Sequence, residues 1–183
     1  MVTAAARFHG AIPLLACLIC SGCSRTNQPE AATVPLQLDG RRWVAVQKNV
    51  RHHAGGDFIR EYLPTGQTVA DWKEIVTVQE FSTAMAKHPI SARDFEAAFM
   101  NDLKKDTAHL DSNVLKDSDQ NLLIAWKAQT DAKLGNENGL VRITQGPQSV
   151  DVIQYTSREA LTEEQMKRWQ AILANTQLDE IVR

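Results

Sequence analysis

Cysteine occurs at positions 17, 20 and 23 and nowhere else in the 183 residues, so thiol chemistry is confined to the start of the chain. Once an N-terminal segment ending at Gly22 is removed, Cys23 is the sole thiol left. That excludes a disulfide framework and a cysteine hydrolase from the body of the protein. His52 and His53, with Asp57 in the same Gly-rich stretch, present two imidazoles and a carboxylate of the kind a divalent metal takes. Adjacent side chains on an extended segment point to opposite sides, so both imidazoles ligate only if the chain bends sharply; a solvated loop is expected instead. His88 before Pro89 and His109 near a helix end have no nucleophile–base pattern beside them and read as surface residues.

Asp117-Ser118-Asp119-Gln120-Asn121 copies the first five positions of a calcium-binding loop. The sixth position needs Gly for its turn and holds Leu122, and the twelfth needs a bidentate Glu and holds Ala128, so calcium binding fails on both. A turn between strands accounts for the same residues, because Asp, Ser and Asn bond their own backbone in turns. Gly135-Asn136-Glu137-Asn138-Gly139 lacks the Lys and Ser/Thr of a phosphate loop and is expected to be a hairpin loop. Neither a Gly-x-Ser-x-Gly elbow nor a His-Glu-x-x-His pair occurs. Glu163-Glu164 stand at a helix N-terminus, where the dipole favours them without catalysis. No catalytic residue, metal or cofactor is expected from these motifs.

The strongest local pattern is Cys20-Ser21-Gly22-Cys23, which closes an apolar run holding Ile12, Leu14, Leu15, Leu18 and Ile19 behind the single basic residue Arg7. The run is long enough for a signal h-region and shorter than the roughly 20 residues that span a bilayer. A small residue directly before a cysteine in this position resembles the lipobox of a bacterial lipoprotein. The resemblance implies that residues 1–22 are a signal peptide, that the Cys23 thiol takes a diacylglyceryl group, and that the mature chain begins at Cys23. Leu14-Leu15-Ala16-Cys17 is a second local match. Choosing Cys17 shortens the apolar run and strands Leu18 and Ile19 in the mature protein, so Cys23 is preferred. Ser24 rather than Asp after the cysteine resembles lipoproteins sent to the outer membrane, on its periplasmic face.

Beyond Cys23 the composition is that of an ordinary folded domain. It carries 19 basic and 22 acidic side chains, a net charge of −3. Without a basic excess nucleic acid is not an expected partner, and without a polybasic patch membrane attachment would rest on acyl chains, of which more than one is needed. Residues 23–34 are small and polar and contain Pro29, as a tether does. Residues 35–183 are enough for one domain with a useful core.

The elements that must position any site follow from periodicity. Trp43 to Val50 and Phe58 to Leu63 are β-rich runs around Gly55-Gly56 and predict an antiparallel hairpin, with Glu74 to Phe81 as a third, interior strand. Ser91 and Asp94 cap a helix whose apolar stripe is Ala92, Phe95, Ala98, Phe99 and Leu103. Four further short strands are centred on Val114-Leu115-Lys116, Leu122 to Trp126, Leu140 to Thr144 and Val150 to Tyr155. Thr162 and Gln165 then form a capping box, Leu161 and Met166 a staple, and Met166, Trp169, Ile172 and Leu173 one apolar face of a closing helix.

The expected fold is α+β, an antiparallel sheet of six or seven strands with two helices packed on it. The strand ending at Tyr155, the short turn and the closing helix Glu163 to Ala174 with Trp169 resemble the PsbP-like α/β/α sandwich over residues 40–178. The segment from Trp72 to Thr77-Val78-Gln79 is similar to exported proteobacterial proteins, a resemblance that implies no activity. The expected function is a non-catalytic, membrane-anchored envelope lipoprotein that binds another envelope protein. The alternative is a carrier of a small apolar ligand in a groove between sheet and helix, and an enzyme comes third. Exposed aromatic and apolar residues on a sheet face favour a protein partner, whereas buried convergent polar groups favour a ligand.

Overall fold

The computed structural model describes residues 36–46, 58–83, 90–105, 107–129 and 136–176. Ten elements follow in chain order: β1 (Leu36–Leu38), β2 (Arg41–Ala45), β3 (Phe58–Pro64), β4 (Glu74–Ser82), α1 (Ala92–Lys105), β5 (His109–Ser118), β6 (Asn121–Gln129), β7 (Asn136–Gln145), β8 (Ser149–Ser157) and α2 (Glu163–Asn175). They form one eight-stranded antiparallel sheet in the order β1-β2-β3-β4-β8-β7-β6-β5. The sheet is two four-stranded meanders joined where β4 pairs with β8 along nine residues, Glu74 opposite Ser157 through Ser82 opposite Ser149.

The expected hairpin is present, with Trp43 opposite Pro64 and Ala45 opposite Tyr62. The expected count of six or seven strands falls one or two short of the eight. β1 is only three residues long, and β-period patterning needs more than that to be visible. Asp39 (φ 52°) and Gly40 (φ 77°) turn β1 into β2 through two left-handed residues, the conformation a tight hairpin requires.

Alternation along the strands separates two cores. On one face Leu38, Trp43, Tyr62, Val76, Val78, Leu123, Leu140, Ile153 and Tyr155 pack with Trp169 and Leu173 of α2. On the other face Leu122, Ile124, Trp126, Ala128, Val141, Ile143, Val150 and Val152 pack with Ala92, Phe99, Met100 and Leu103 of α1. The layers therefore run helix, sheet, helix. α1 must carry the chain from the middle strand β4 to the edge strand β5, and it lies over β5, β6 and β7 on the way. Ala98 was expected in its stripe but is exposed; Met100 is buried in its stead.

Both helix starts behave as their residues require. Ser91 Oγ accepts from the Asp94 N–H at 3.0 Å while Asp94 accepts from the Ser91 N–H at 3.2 Å, a capping box built on the shorter acid. In α2 the Thr162 Oγ1 accepts from the Gln165 N–H at 3.2 Å and Gln165 Oε1 from the Thr162 N–H at 2.8 Å. The far end of α2 has no basic residue in its last turn. Arg142 of β7 supplies the charge from the sheet face beneath it, donating to the carbonyls of Leu173 at 3.0 Å and Thr176 at 2.6 Å.

Candidate binding site

The residues singled out for chemistry do not come together. Cys17, Cys20, Cys23, His52, His53, Asp57 and His88 lie outside the described residues. His109 opens β5 just beyond α1, exposed, with Nε2 3.1 Å from Asp111. Asp117 to Asn121 form the β5–β6 turn, where Ser118 Oγ accepts from the Asn121 N–H at 3.1 Å. Asn136 to Gly139 are not a hairpin loop: they are the first residues of β7, paired with Trp126 to Gln129 on one side. Polar Asn and Glu side chains hid that strand, which is held by its backbone ladder between two neighbours. Among the described residues no group of three or more His, Cys, Asp or Glu side chains is placed to hold a metal ion, and no helix is long and apolar enough to cross a membrane.

On the α2 face the polar groups are mutually satisfied. Tyr155 Oη donates to Glu74 Oε1 at 2.6 Å, and the Arg41 guanidinium donates to both Glu74 oxygens at 2.5 and 3.1 Å. Arg41 also reaches Asp39 at 2.7 Å, whose other oxygen accepts from Trp43 Nε1 at 3.1 Å. The Tyr155 ring stacks on Trp169 at 3.8 Å, and Trp43 meets Trp169 edge-on at 5.6 Å. Burial, and then the hydrogen bond to Glu74, push the Tyr155 phenol well above the usual tyrosine range. It is a fixed donor and not a base. The Arg41 guanidinium is held charged above its ordinary value, first by its hydrogen bond to Glu74. This network ties β1, β2, β4, β8 and α2 together.

The α1 face is different. Beneath α1 it is apolar, but over β3, β4 and β8 a stripe of Glu61, Thr77, Gln79, Gln154 and Thr156 is buried in the middle of the sheet. Thr77 lies opposite Gln154, Gln79 opposite Val152 and Ile75 opposite Thr156. Gln154 Nε2 donates to Thr156 Oγ1 at 3.0 Å. Beside the stripe, Leu63, Trp72 and Ile75 form a small separate cluster. The Arg158 guanidinium lies 4.1 Å over the Trp72 ring.

The next column contains a close approach that only glycine permits. Gly139 lies between Thr156 and Trp126, and a Cβ there would sit 2.8 Å from Cε2 of Trp126 and 2.5 Å from the Tyr155 carbonyl. The indole edge of Trp126 therefore rests on bare backbone. Three buried donors in this region have no hydrogen-bond partner: Trp72 Nε1, Trp126 Nε1 and Arg158 Nε. Glu159, next to Arg158, pairs with Lys73 at 3.1 Å. Buried polar groups are ordinarily satisfied, so three donors without a partner on this face call for an acceptor, and the buried carboxylates of Glu61 and Glu137 share the face with them. Sequence reasoning missed them because no motif links Trp72, Trp126 and Arg158; only the strand order brings them near one another.

No protein-family model matches this chain, and no curated protein matches it. The site therefore rests on its own geometry.

Proposed function

We propose that this protein is a lipid-anchored, non-catalytic envelope protein whose folded domain binds a small ligand on the α1 face of its sheet. The observation that carries the ligand reading is the set of three buried donors without partners, Trp72 Nε1, Trp126 Nε1 and Arg158 Nε. Trp72 and Arg158 stand beside the buried polar stripe, and Trp126 lies in the core packed with α1. Donors pointing into an interior cost free energy unless something accepts from them, and a ligand pocket is a common place for such donors to be kept. The large apolar residues exposed among the described residues, Val44, Val46, Val69, Ile90 and Val114, include no aromatic ring. This is a poor match for the aromatic anchors of a protein-binding face, which puts the envelope-protein partner second.

The anchor part of the proposal rests on the lipobox-like Cys20-Ser21-Gly22-Cys23, with lipid on Cys23 and the periplasmic face of the outer membrane as its address. The helix–sheet–helix layering is compatible with a PsbP-like sandwich, which we carry as part of the same proposal. Native mass spectrometry of protein extracted from its own membrane tests the ligand reading. A small-molecule adduct that is lost in Arg158→Gln is expected; a stable complex with another protein and no adduct would favour the protein-partner reading instead. Metabolic labelling with a fatty-acid analogue tests the anchor: label is expected on the wild type and absent from Cys23→Ala, whereas label lost only from Cys17→Ala would move the anchor to Cys17.

A further inference from the structure

Resting on the anchor reading above, we infer that β1 is a releasable strap between the anchored N-terminus and the domain, buckled at its turn, whose opening lengthens the tether without unfolding the core. The chain enters the sheet at Leu36, on the edge strand. Among the described residues β1 pairs with β2 only where Leu36 meets Trp43, Gln37 meets Arg42 and Leu38 meets Arg41. Two strands further in, β4 and β8 share nine such pairs. A pull on the N-terminus therefore reaches a three-pair ladder first, and the least-paired part of a fold opens before the rest.

What holds the strap is gathered at its turn. The Asp39 carboxylate accepts from Arg41 Nε at 2.7 Å and from Trp43 Nε1 at 3.1 Å, and the Asp39 carbonyl accepts from Arg168 of α2. Arg41 continues to both oxygens of Glu74 on β4, which Tyr155 of β8 holds from the other side. Leu38, next to the turn, is buried, whereas Leu36 at the entry is only half-buried. A peel that starts at Leu36 thus meets its strongest resistance last. The Arg41 side chain is 42% exposed, so water can take over its hydrogen bonds as they part, and the buckle can open and re-form. Once it opens, the seven residues from Leu36 to Arg42 pass to the tether. At about 3.5 Å per residue they span about 25 Å, against about 5 Å across the ladder, a gain in reach of about 20 Å. Trp43 keeps its place opposite Pro64 and against Trp169, which leaves the core closed behind the released strand.

Optical-tweezer pulling of the full-length chain tests the strap, with one handle on the Cys23 thiol, after Cys17→Ser and Cys20→Ser, and the other at Arg183. The handle takes the place of lipid, so the outcome is independent of the anchor reading, which fatty-acid labelling decides separately. An opening of about 20 Å in contour length is expected before the core unfolds. Arg41→Met removes the donor to both Asp39 and Glu74 and should speed that opening roughly tenfold or more at a given force, with a much smaller change in the later unfolding of the core. A single all-or-none event without the early opening would overturn the strap. An early opening at the same rate in Arg41→Met would overturn the buckle at Asp39 and Glu74.

Discussion

At the scale of single residues, the two tyrosine and arginine side chains that cross between elements are the most exposed to test. Tyr155 has a phenol raised above its ordinary value by burial and by Glu74. A raised folded-state value means that the native protein holds its proton where the unfolded chain, with a value near 10, has lost it. The stabilisation is complete below about pH 10 and declines as pH rises above it. Denaturant melts from pH 9 upward should therefore show stability falling with pH in the wild type. Tyr155→Phe, which has no proton to lose, should flatten that decline; an unchanged slope would remove Tyr155 as its source. Arg142 makes the second prediction. It is buried and donates to two carbonyls at the end of α2, and burial lowers its proton affinity against the opposing pull of Asp151. Arg142→Met should cost about 2–4 kcal/mol, because charged hydrogen bonds are lost and helix-end carbonyls are left buried. Amide exchange should quicken first in the last turn of α2.

At the scale of elements, what could be read in advance depended on local codes. α2 carries its own capping box and an apolar face, so its range is legible from residue order; of that face Trp169 and Leu173 are buried and Met166 and Ile172 half-buried. Trp169→Ala is expected to cost roughly 3–5 kcal/mol by removing the ring that both Trp43 and Tyr155 contact. Thr162→Ala should cost only about 1 kcal/mol, the worth of a cap. Equal losses in the two melts would contradict the core position of Trp169. β1 and the start of β7 were illegible for opposite reasons. β1 is too short to show a period, and Asn136-Glu137-Asn138-Gly139 shows turn residues where the ladder makes a strand. β5 escaped full recognition because it is an edge strand, mostly exposed and polar, with a register shift between Val114 and Lys116. Such features keep an edge from pairing with other chains, and they erase the apolar signal by which strands are found.

At the scale of the whole molecule, the two faces of the sheet carry different tasks. The α2 face is apolar from β2 to β6 and its polar network is closed, so it supplies cohesion. The α1 face is apolar where α1 covers it and at the small Leu63, Trp72 and Ile75 cluster, and buried polar residues lie elsewhere on it. That division follows from the chain path: α1 travels to the far edge strand and lies over β5, β6 and β7. Thr77, Gln79, Gln154 and Thr156 read in sequence as the solvent side of two strands. Their burial depends on β4 and β8 becoming neighbours, although more than 60 residues separate them, and no local pattern encodes that pairing. The donor site at Trp72, Trp126 and Arg158 is a property of the assembled sheet in the same sense.

The account turns on whether those donors meet a ligand. A high-resolution crystal structure of protein purified from its native membrane measures this most directly. Continuous organic density within hydrogen-bond distance of Trp72 Nε1 and Arg158 Nε, and extending toward Trp126 Nε1, is the predicted result. Ordered water alone on those three donors, or a side chain of the protein itself accepting from them, would contradict it.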